Sequence, residues 1–236
     1  MDKDLLFMRD IPNEHLKVFV ETMIKKGAVT EMLTVSKEYK IYGKQYEKYL
    51  GVVEKEFLDF GSNTFWTKKT YKEIVCDVAK KLKVNFNGDQ PTDLIEEKIL
   101  EKVLTDAWEK MTVDDRKKIA EEAKSKYGSV DFMAGGSAAV VSIFRAGGFY
   151  SYQLTLVIVN AVSRAIFGRG LSLAANFGLI RGLSLLTGPV GIVLTALWTA
   201  IDIAGPAYRV TIPCVILLSC FRKELKLKKY RDVDMS

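Results

Sequence analysis

Between Asp131 and Asp202 the chain runs for seventy residues, Phe132 to Ile201, without one acidic side chain. The charges in that run are four arginines, Arg145, Arg164, Arg169 and Arg181. Glycine and small residues punctuate it at Ala134-Gly135-Gly136, Ala146-Gly147-Gly148, Gly168-Arg169-Gly170 and Gly188-Pro189-Val190-Gly191. A stretch of this kind gains by leaving water, so the question of function is largely the question of what it touches.

The remainder of the chain has a different character. Residues 1–130 hold 24 basic and 24 acidic side chains, whereas residues 131–236 hold 11 and 5, which accounts for the whole formal net charge of +6. With 48% hydrophobic and 27% charged residues, the 236-residue chain is folded rather than disordered and long enough to bury a core. Basic charge beside apolar sequence points to an anionic membrane surface rather than to a nucleic acid, whose binders concentrate Lys and Arg on a solvated face. Cys76, Cys214 and Cys220 are three, with no CxxC spacing, which argues against a disulfide framework and fits a reducing compartment; Cys214 and Cys220, in an apolar run, read as buried thiols. The acidic start at Asp2, Asp4 and Asp10 has neither a basic nor a long apolar segment, so no signal peptide is expected.

Taken in order, the first 130 residues predict helices. An apolar turn from Asp4 ends at Ile11-Pro12, and Asn13 caps a helix with Leu16, Phe19, Val20, Met23 and Ile24 at helical spacing. His15, the one histidine, reads as a solvated group and allows no triad or His-based metal site. A helix follows over Thr30–Glu38, then an aromatic stripe of Tyr39, Tyr42, Tyr46 and Tyr49 running into Leu50, Val53, Phe57 and Phe60. That stripe is core or a groove for a partner helix. Tyr71–Leu82 is a further helix, with Ile74, Val75, Val78 and Leu82 inward. Thr92 or Asp93 caps the clearest one, reaching Met111 with Leu94, Ile95, Ile99, Leu100, Val103, Leu104 and Trp108 on its apolar face. Thr112 and Asp115 imitate a capping box for a charged helix that runs to Tyr127 and stops at Gly128. The acid pairs Glu96-Glu97, Asp114-Asp115 and Glu121-Glu122 lie among lysines and read as i,i+4 salt-bridge partners, not as catalytic carboxylates.

In the apolar half, residues 146–163 and 182–201 are uncharged for eighteen and twenty residues. A helix rises 1.5 Å per residue and a bilayer core of roughly 30 Å needs about 20, so both stand at the threshold. Tyr150, Tyr152, Gln153, Asn160 and Ser163 temper the first, and Gly188-Pro189 breaks the second. Between them, Arg164, Arg169 and Arg181 alternate with Ile166, Phe167, Leu171, Leu173, Phe177 and Ile180, the pattern of a helix lying in an interface. Gly178 and Gly182 are four apart, a spacing that brings helix backbones together in lipid. Three placements stay open for this hairpin: inserted in a bilayer, touching one conditionally, or buried in a water-soluble bundle. If both segments span, both chain ends share the cytoplasmic side, with the linker arginines facing the wrong way for that topology. Asp202 and Arg209, seven apart, are a candidate buried ion pair, although Pro206 and Pro213 argue against one continuous helix. Arg222 to Arg231 is a basic tail suited to anionic head groups. No glycine run matches a phosphate loop, so neither cofactor nor metal is called for.

At Tyr208-Arg-Val-Thr-Ile-Pro213 the chain resembles the YaaW-like family of uncharacterised bacterial proteins. The likeness extends over most of the chain, through Asp77-Val-Ala-Lys-Lys-Leu-Lys83, Trp108-Glu-Lys-Met111, Gly188-Pro-Val-Gly191 and Phe221-Arg222. Residues 2–25 resemble a short domain of unknown function found in front of that family, through Asp4-Leu5-Leu6-Phe7 and Ile11-Pro12. The family is grouped with the ubiquinol–cytochrome c chaperones. That resemblance implies a partner-binding helical protein near a membrane and transfers no functional residue. The expectation is therefore an all-α helical bundle with a glycine-rich hydrophobic hairpin in its C-terminal half. Its parts are a small helical unit (1–27), a charged amphipathic domain (28–130), a hydrophobic glycine-rich region (131–221) and the basic tail (222–236). It would act without catalysis as a membrane-associated assembly factor of the bacterial cytoplasm and inner membrane. Its partners would be an anionic membrane or bilayer, another protein, or a second copy of itself. The alternative is an effector that inserts the 146–201 hairpin and perturbs the bilayer. Arg164, Arg169, Arg181, Gly178, Gly182, Gly188, Pro189, Asp202 and Arg209 are its candidate membrane or interaction residues.

Overall fold

Every regular element among the described residues of the computed structural model is a helix; these residues are 1–26, 31–62, 68–127, 132–168, 185–202 and 206–231. A 3-10 helix, Lys3–Asp10, precedes α1 (Asn13–Lys26), α2 (Glu31–Val35) and α3 (Lys37–Tyr42). A second 3-10 turn, Tyr46–Tyr49, leads into α4 (Leu50–Ser62), followed by α5 (Tyr71–Lys81), α6 (Thr92–Lys110) and α7 (Val113–Tyr127). The acid-free stretch supplies α8 (Phe132–Ala146), α9 (Gly148–Phe167) and most of α10 (Thr187–Asp202), and α11 (Pro206–Arg231) closes the chain. The all-α expectation is met. The contacts divide the chain into two units, Met1–Lys98 with Trp198–Leu225 and Ile99–Leu197 with Lys226–Ser236.

In the first unit the predicted apolar faces are the core. Leu16, Phe19, Val20 and Met23 of α1 are fully buried, as are Val53 and Phe57 of α4 and Val75 and Val78 of α5. The Phe57 ring meets Phe19 edge-on at 5.4 Å and lies 6.1 Å from Tyr71. Thr70 and Glu73 form a capping box at the start of α5. Only the later half of the aromatic stripe is inward: Tyr46 and Tyr49 are buried, while Tyr42 is 42% exposed. The helix expected over Thr30–Glu38 is two helices, because Ser36 stops α2 and its side chain accepts the Tyr39 N–H to cap α3. Asn13 does not cap α1; its side chain instead accepts the Tyr46 N–H at 2.9 Å and donates to the Lys44 carbonyl at 3.1 Å.

The doubt about one continuous helix holds at Pro206, where a new helix begins after Asp202 ends the last, and is corrected only at Pro213, which lies inside α11. Pro206 is its first residue, where no N–H is needed, and only Pro213 interrupts the ladder. Residues 210–221 are buried all round, as a helix apolar on every face must be. Cys214 and Cys220 are among them as buried free thiols, and burial pushes both above their ordinary range.

In the second unit α9 is the buried rod: residues 151–163 are buried without exception. Its polar groups bond inward, Ser151 Oγ donating to the Phe144 carbonyl at 2.7 Å and Thr155 Oγ1 to the Ser151 carbonyl at 2.8 Å. On α6, Ile99, Leu100, Val103, Leu104 and Trp108 are buried as expected, whereas Leu94, in the first unit, is 41% exposed. The Thr112–Asp115 cap of α7 is present, with Asp115 N–H donating to Thr112 Oγ1 at 3.1 Å. Gly136 kinks α8 at a φ of 57°, a conformation that glycine adopts without strain.

The expected spans fare differently. Gly188-Pro189 does not break a helix; it lies in the first turn of α10, where proline is favoured. α10 has 16 residues, about 24 Å at 1.5 Å per residue and short of a bilayer core. α9 has 20 residues, but its polar side chains dilute it. Among the described residues no helix is long and apolar enough to cross a membrane. Most of the linker that would join the two arms, with Arg169, Gly178 and Arg181, lies outside the described residues, as do Gly182, Gly27, Gly128 and the last five residues.

Candidate functional site

The densest polar chemistry lies in the first unit, around Arg222, the residue where the apolar run of α11 turns basic. One turn into α6, Glu96 is 2% exposed. Its Oε1 accepts the Tyr71 hydroxyl at 2.5 Å, and its Oε2 lies 2.6 Å from Arg222 Nε in an off-axis ion pair. The guanidinium also donates through Nη2 to the Asp4 carbonyl and sits 3.8 Å above the centroid of the Phe7 ring. Arg222 thus holds α6 with one edge and the N-terminal 3-10 helix with its other edge and its face.

That helix is fastened at three further points. Asp2 accepts the backbone N–H of Tyr71 at 2.8 Å, and its own N–H donates to Glu54. Asp4 Oδ2 accepts the Thr92 hydroxyl at 2.9 Å. Beside Arg222, Lys223 pairs with Glu97. One turn of α11 contributes Phe221 and Glu224 to His15: the imidazole stacks on Phe221 at 4.9 Å, and Nδ1 faces Glu224 at 3.5 Å. His15 is therefore 4% exposed and not the solvated group its position in a first turn implies. An aromatic face and a carboxylate from the far end of the sequence cover it.

Burial dominates the electrostatics. It pushes the Glu96 carboxyl up to about 7, against the opposing influence of Arg222 and of the Tyr71 hydrogen bond. Tyr71 is held well above its ordinary value, by burial first and then by the Glu96 charge. These groups face one another and the N-terminal segment, which makes the cluster a lock. Among the described residues no three His, Cys, Asp or Glu side chains are grouped to hold a metal ion.

The residues singled out from the sequence are placed elsewhere. Arg164 is exposed in the last turn of α9, where its carbonyl accepts the Gly168 N–H at 2.8 Å. Gly188 is exposed and Pro189 half-buried at the start of α10. Asp202 ends α10 and Arg209, half-buried, lies in the first turn of α11, so they stand on separate helices. Arg169, Gly178, Arg181 and Gly182 are outside the described residues. The acid pair Glu96-Glu97, expected to find i,i+4 partners, pairs instead with Arg222 and Lys223 of α11. The signal for this was present as two complementary doublets, Glu-Glu and Arg-Lys, although nothing in local spacing connects them. Of the four arginines in the acid-free stretch, Arg145 grips Glu101 with two bonds of 2.5 and 2.6 Å.

Residues 78–216 match the family described as ubiquinol–cytochrome C chaperone. Along the whole chain, a UPF0174 protein of Helicobacter pylori strain J99 is 44% identical over 230 residues, covering 94% of this chain and 91% of the relative. A second UPF0174 protein of that strain is 36% identical over 84% of this chain and 99% of its own length. The UPF0174 protein YaaW of Escherichia coli K12 is 25% identical over 94% of both. No solved structure matches the chain.

Proposed function

Because the chain belongs to the ubiquinol–cytochrome C chaperone family, as one of its YaaW-like UPF0174 members, we propose that it is a chaperone-like assembly factor that holds a protein partner and performs no reaction of its own. The observation that carries this reading is the family match over residues 78–216. The Arg222 cluster agrees with it: its ionisable groups are closed on one another around the N-terminal segment, which serves shape rather than turnover.

The partner is a subunit of a bacterial membrane complex during assembly, and the chain meets it at the membrane surface rather than across it. The basic residues of the C-terminal half and its acid-free stretch support that placement. The test is a deletion strain whose membranes are resolved on a native gel, with the ubiquinol–cytochrome c oxidoreductase examined first. The expected result is loss of an assembled complex while its subunits are still made, restored by the wild-type chain. Unchanged assembly of every membrane complex sinks the proposal. Carbonate washing of membranes checks the placement: a surface-bound factor is released, and one that resists extraction contradicts it.

A further inference from the structure

The N-terminal 3-10 helix, Lys3–Asp10, is seated in the first unit as a bound peptide is seated in its receptor. Leu5 and Met8 are fully buried, while Leu6 between them is 46% exposed. Anchors at i and i+3 with a solvated position between them are how a short helix fits a groove. The two carboxylates of the segment land on the starts of two helices. Asp2 accepts the N–H of Tyr71, the first residue of α5, and Asp4 accepts the hydroxyl of Thr92, the first residue of α6. A helix start carries partial positive charge and favours an anion there. Arg222 takes the Asp4 backbone carbonyl, which any peptide offers, and covers the Phe7 ring.

The segment owes its place to the groove rather than to its neighbours in sequence. The groups that hold its polar atoms, Glu54, Tyr71, Thr92 and Arg222, come from 52, 69, 88 and 218 positions away. Only Ile11 and Pro12 join it to α1, and a 3-10 helix has poorer hydrogen-bond geometry of its own than an α-helix. We infer that this groove is a docking site for a segment of the protein partner, and that residues 2–8 fill it in the partner's absence. The segment that fits carries two acids two residues apart, then a leucine, an aromatic and a second apolar anchor, the pattern of Asp2-x-Asp4-Leu5-x-Phe7-Met8. The tethered segment competes at an effective concentration of millimolar order, so the groove opens only to a partner that brings further contacts. That a partner supplies the segment rests on the assembly role. Exchange itself is measured on the isolated chain, so its failure leaves the native-gel result standing.

The experiment is fluorescence anisotropy on the full chain with a peptide of residues 1–12 labelled at its C-terminal end. Leu5→Asp in the chain puts a charge at a fully buried anchor and so empties the groove. This variant should bind the peptide at least about tenfold more tightly than wild type, whose own segment competes. The peptide carrying Leu5→Asp should not bind, and one with Asp2→Asn and Asp4→Asn should bind several-fold more weakly. Equal binding by wild type and variant, or binding indifferent to the peptide changes, overturns the inference. A concentration-dependent dimer of the wild-type chain that Leu5→Asp abolishes makes a second copy the occupant, and overturns it as well. Hydrogen exchange on the wild-type chain tests the same point should the variant fail to fold. The Tyr71 amide, which donates to Asp2, should exchange at least about tenfold faster than the Val75 amide within α5. Equal protection of the two means that the segment leaves only when the unit unfolds, and overturns the inference.

Discussion

Arg222 Nε rests 2.6 Å from Glu96 Oε2 where the carboxylate is 2% exposed and the guanidinium side chain 17%. Removing one member of such a pair strands the other in a low-dielectric site, which costs about 3–5 kcal/mol. Arg222→Met should lose stability on that scale, and it also frees the Asp4 carbonyl and the Phe7 ring. Adding Glu96→Gln should restore a large part of the loss, because the neutral amide can still accept the Tyr71 hydroxyl. Urea unfolding followed by circular dichroism measures both variants. A double variant no more stable than Arg222→Met means that the two residues are not coupled.

The same carboxyl makes stability depend on pH in an unusual direction. Its folded value is pushed up to about 7, whereas the ordinary value, which the unfolded chain keeps, is 4.5. Between the two, the folded protein holds a proton that the unfolded chain has released, so stability falls as pH rises through this window. The contribution is full below about 4.5 and gone above about 7. At ~1.4 kcal/mol per unit it is on the order of 3 kcal/mol. Urea midpoints at about pH 5 and about pH 8 should therefore differ more in wild type than in Glu96→Gln. Equal differences in the two proteins would remove Glu96 as the cause.

Helix positions were legible in the sequence because they follow from local spacing. The period of Ile95, Ile99, Leu100, Val103 and Leu104 fixes the face of α6, and the Thr112–Asp115 cap fixes the start of α7. The placement of the apolar half was less legible. Hydrophobicity says that 151–163 and 210–221 leave water, but a bilayer and a protein interior satisfy the same composition. The Arg222 cluster was legible only as two complementary doublets, Glu96-Glu97 and Arg222-Lys223, that nothing local connects. It joins residues 2–7, 71, 96 and 222, and each of them looks ordinary beside its own neighbours. His15 shows why: a first-turn histidine is solvated by default, and only Phe221 and Glu224 change that.

Glu101 and Arg145 offer a contrast. Their two bonds, at 2.5 and 2.6 Å, are better aligned than the Arg222 contact, yet the arginine side chain is 61% exposed. Solvent screens a pair of this kind, and it should be worth about 1 kcal/mol or less in a double-mutant cycle. Glu101→Gln with Arg145→Gln, each alone and together, measures the coupling. A value near that of the buried pair would mean that exposure does not govern these contacts.

Two glycines separate packing from sequence pattern. Gly188 belongs to the recurrent glycine motif, yet a Cβ there meets nothing within 4 Å, and its backbone is not left-handed. Gly61 stands in no motif, but a Cβ there falls 2.2 Å from Ile74 Cδ1 and 2.6 Å from Ile74 Cγ1. Ile74 is 1% exposed, so its side chain must shift within the core to make room. Gly61→Ala should therefore cost about 1–3 kcal/mol through overpacking, whereas Gly188→Ala, near a helix start, should be neutral or stabilising by a few tenths of a kcal/mol. Thermal unfolding of the two variants side by side decides it. If the Gly188 variant is the less stable one, its glycine answers to a contact outside the described residues, and the recurrent small residues of the acid-free stretch regain the packing role that their spacing suggests.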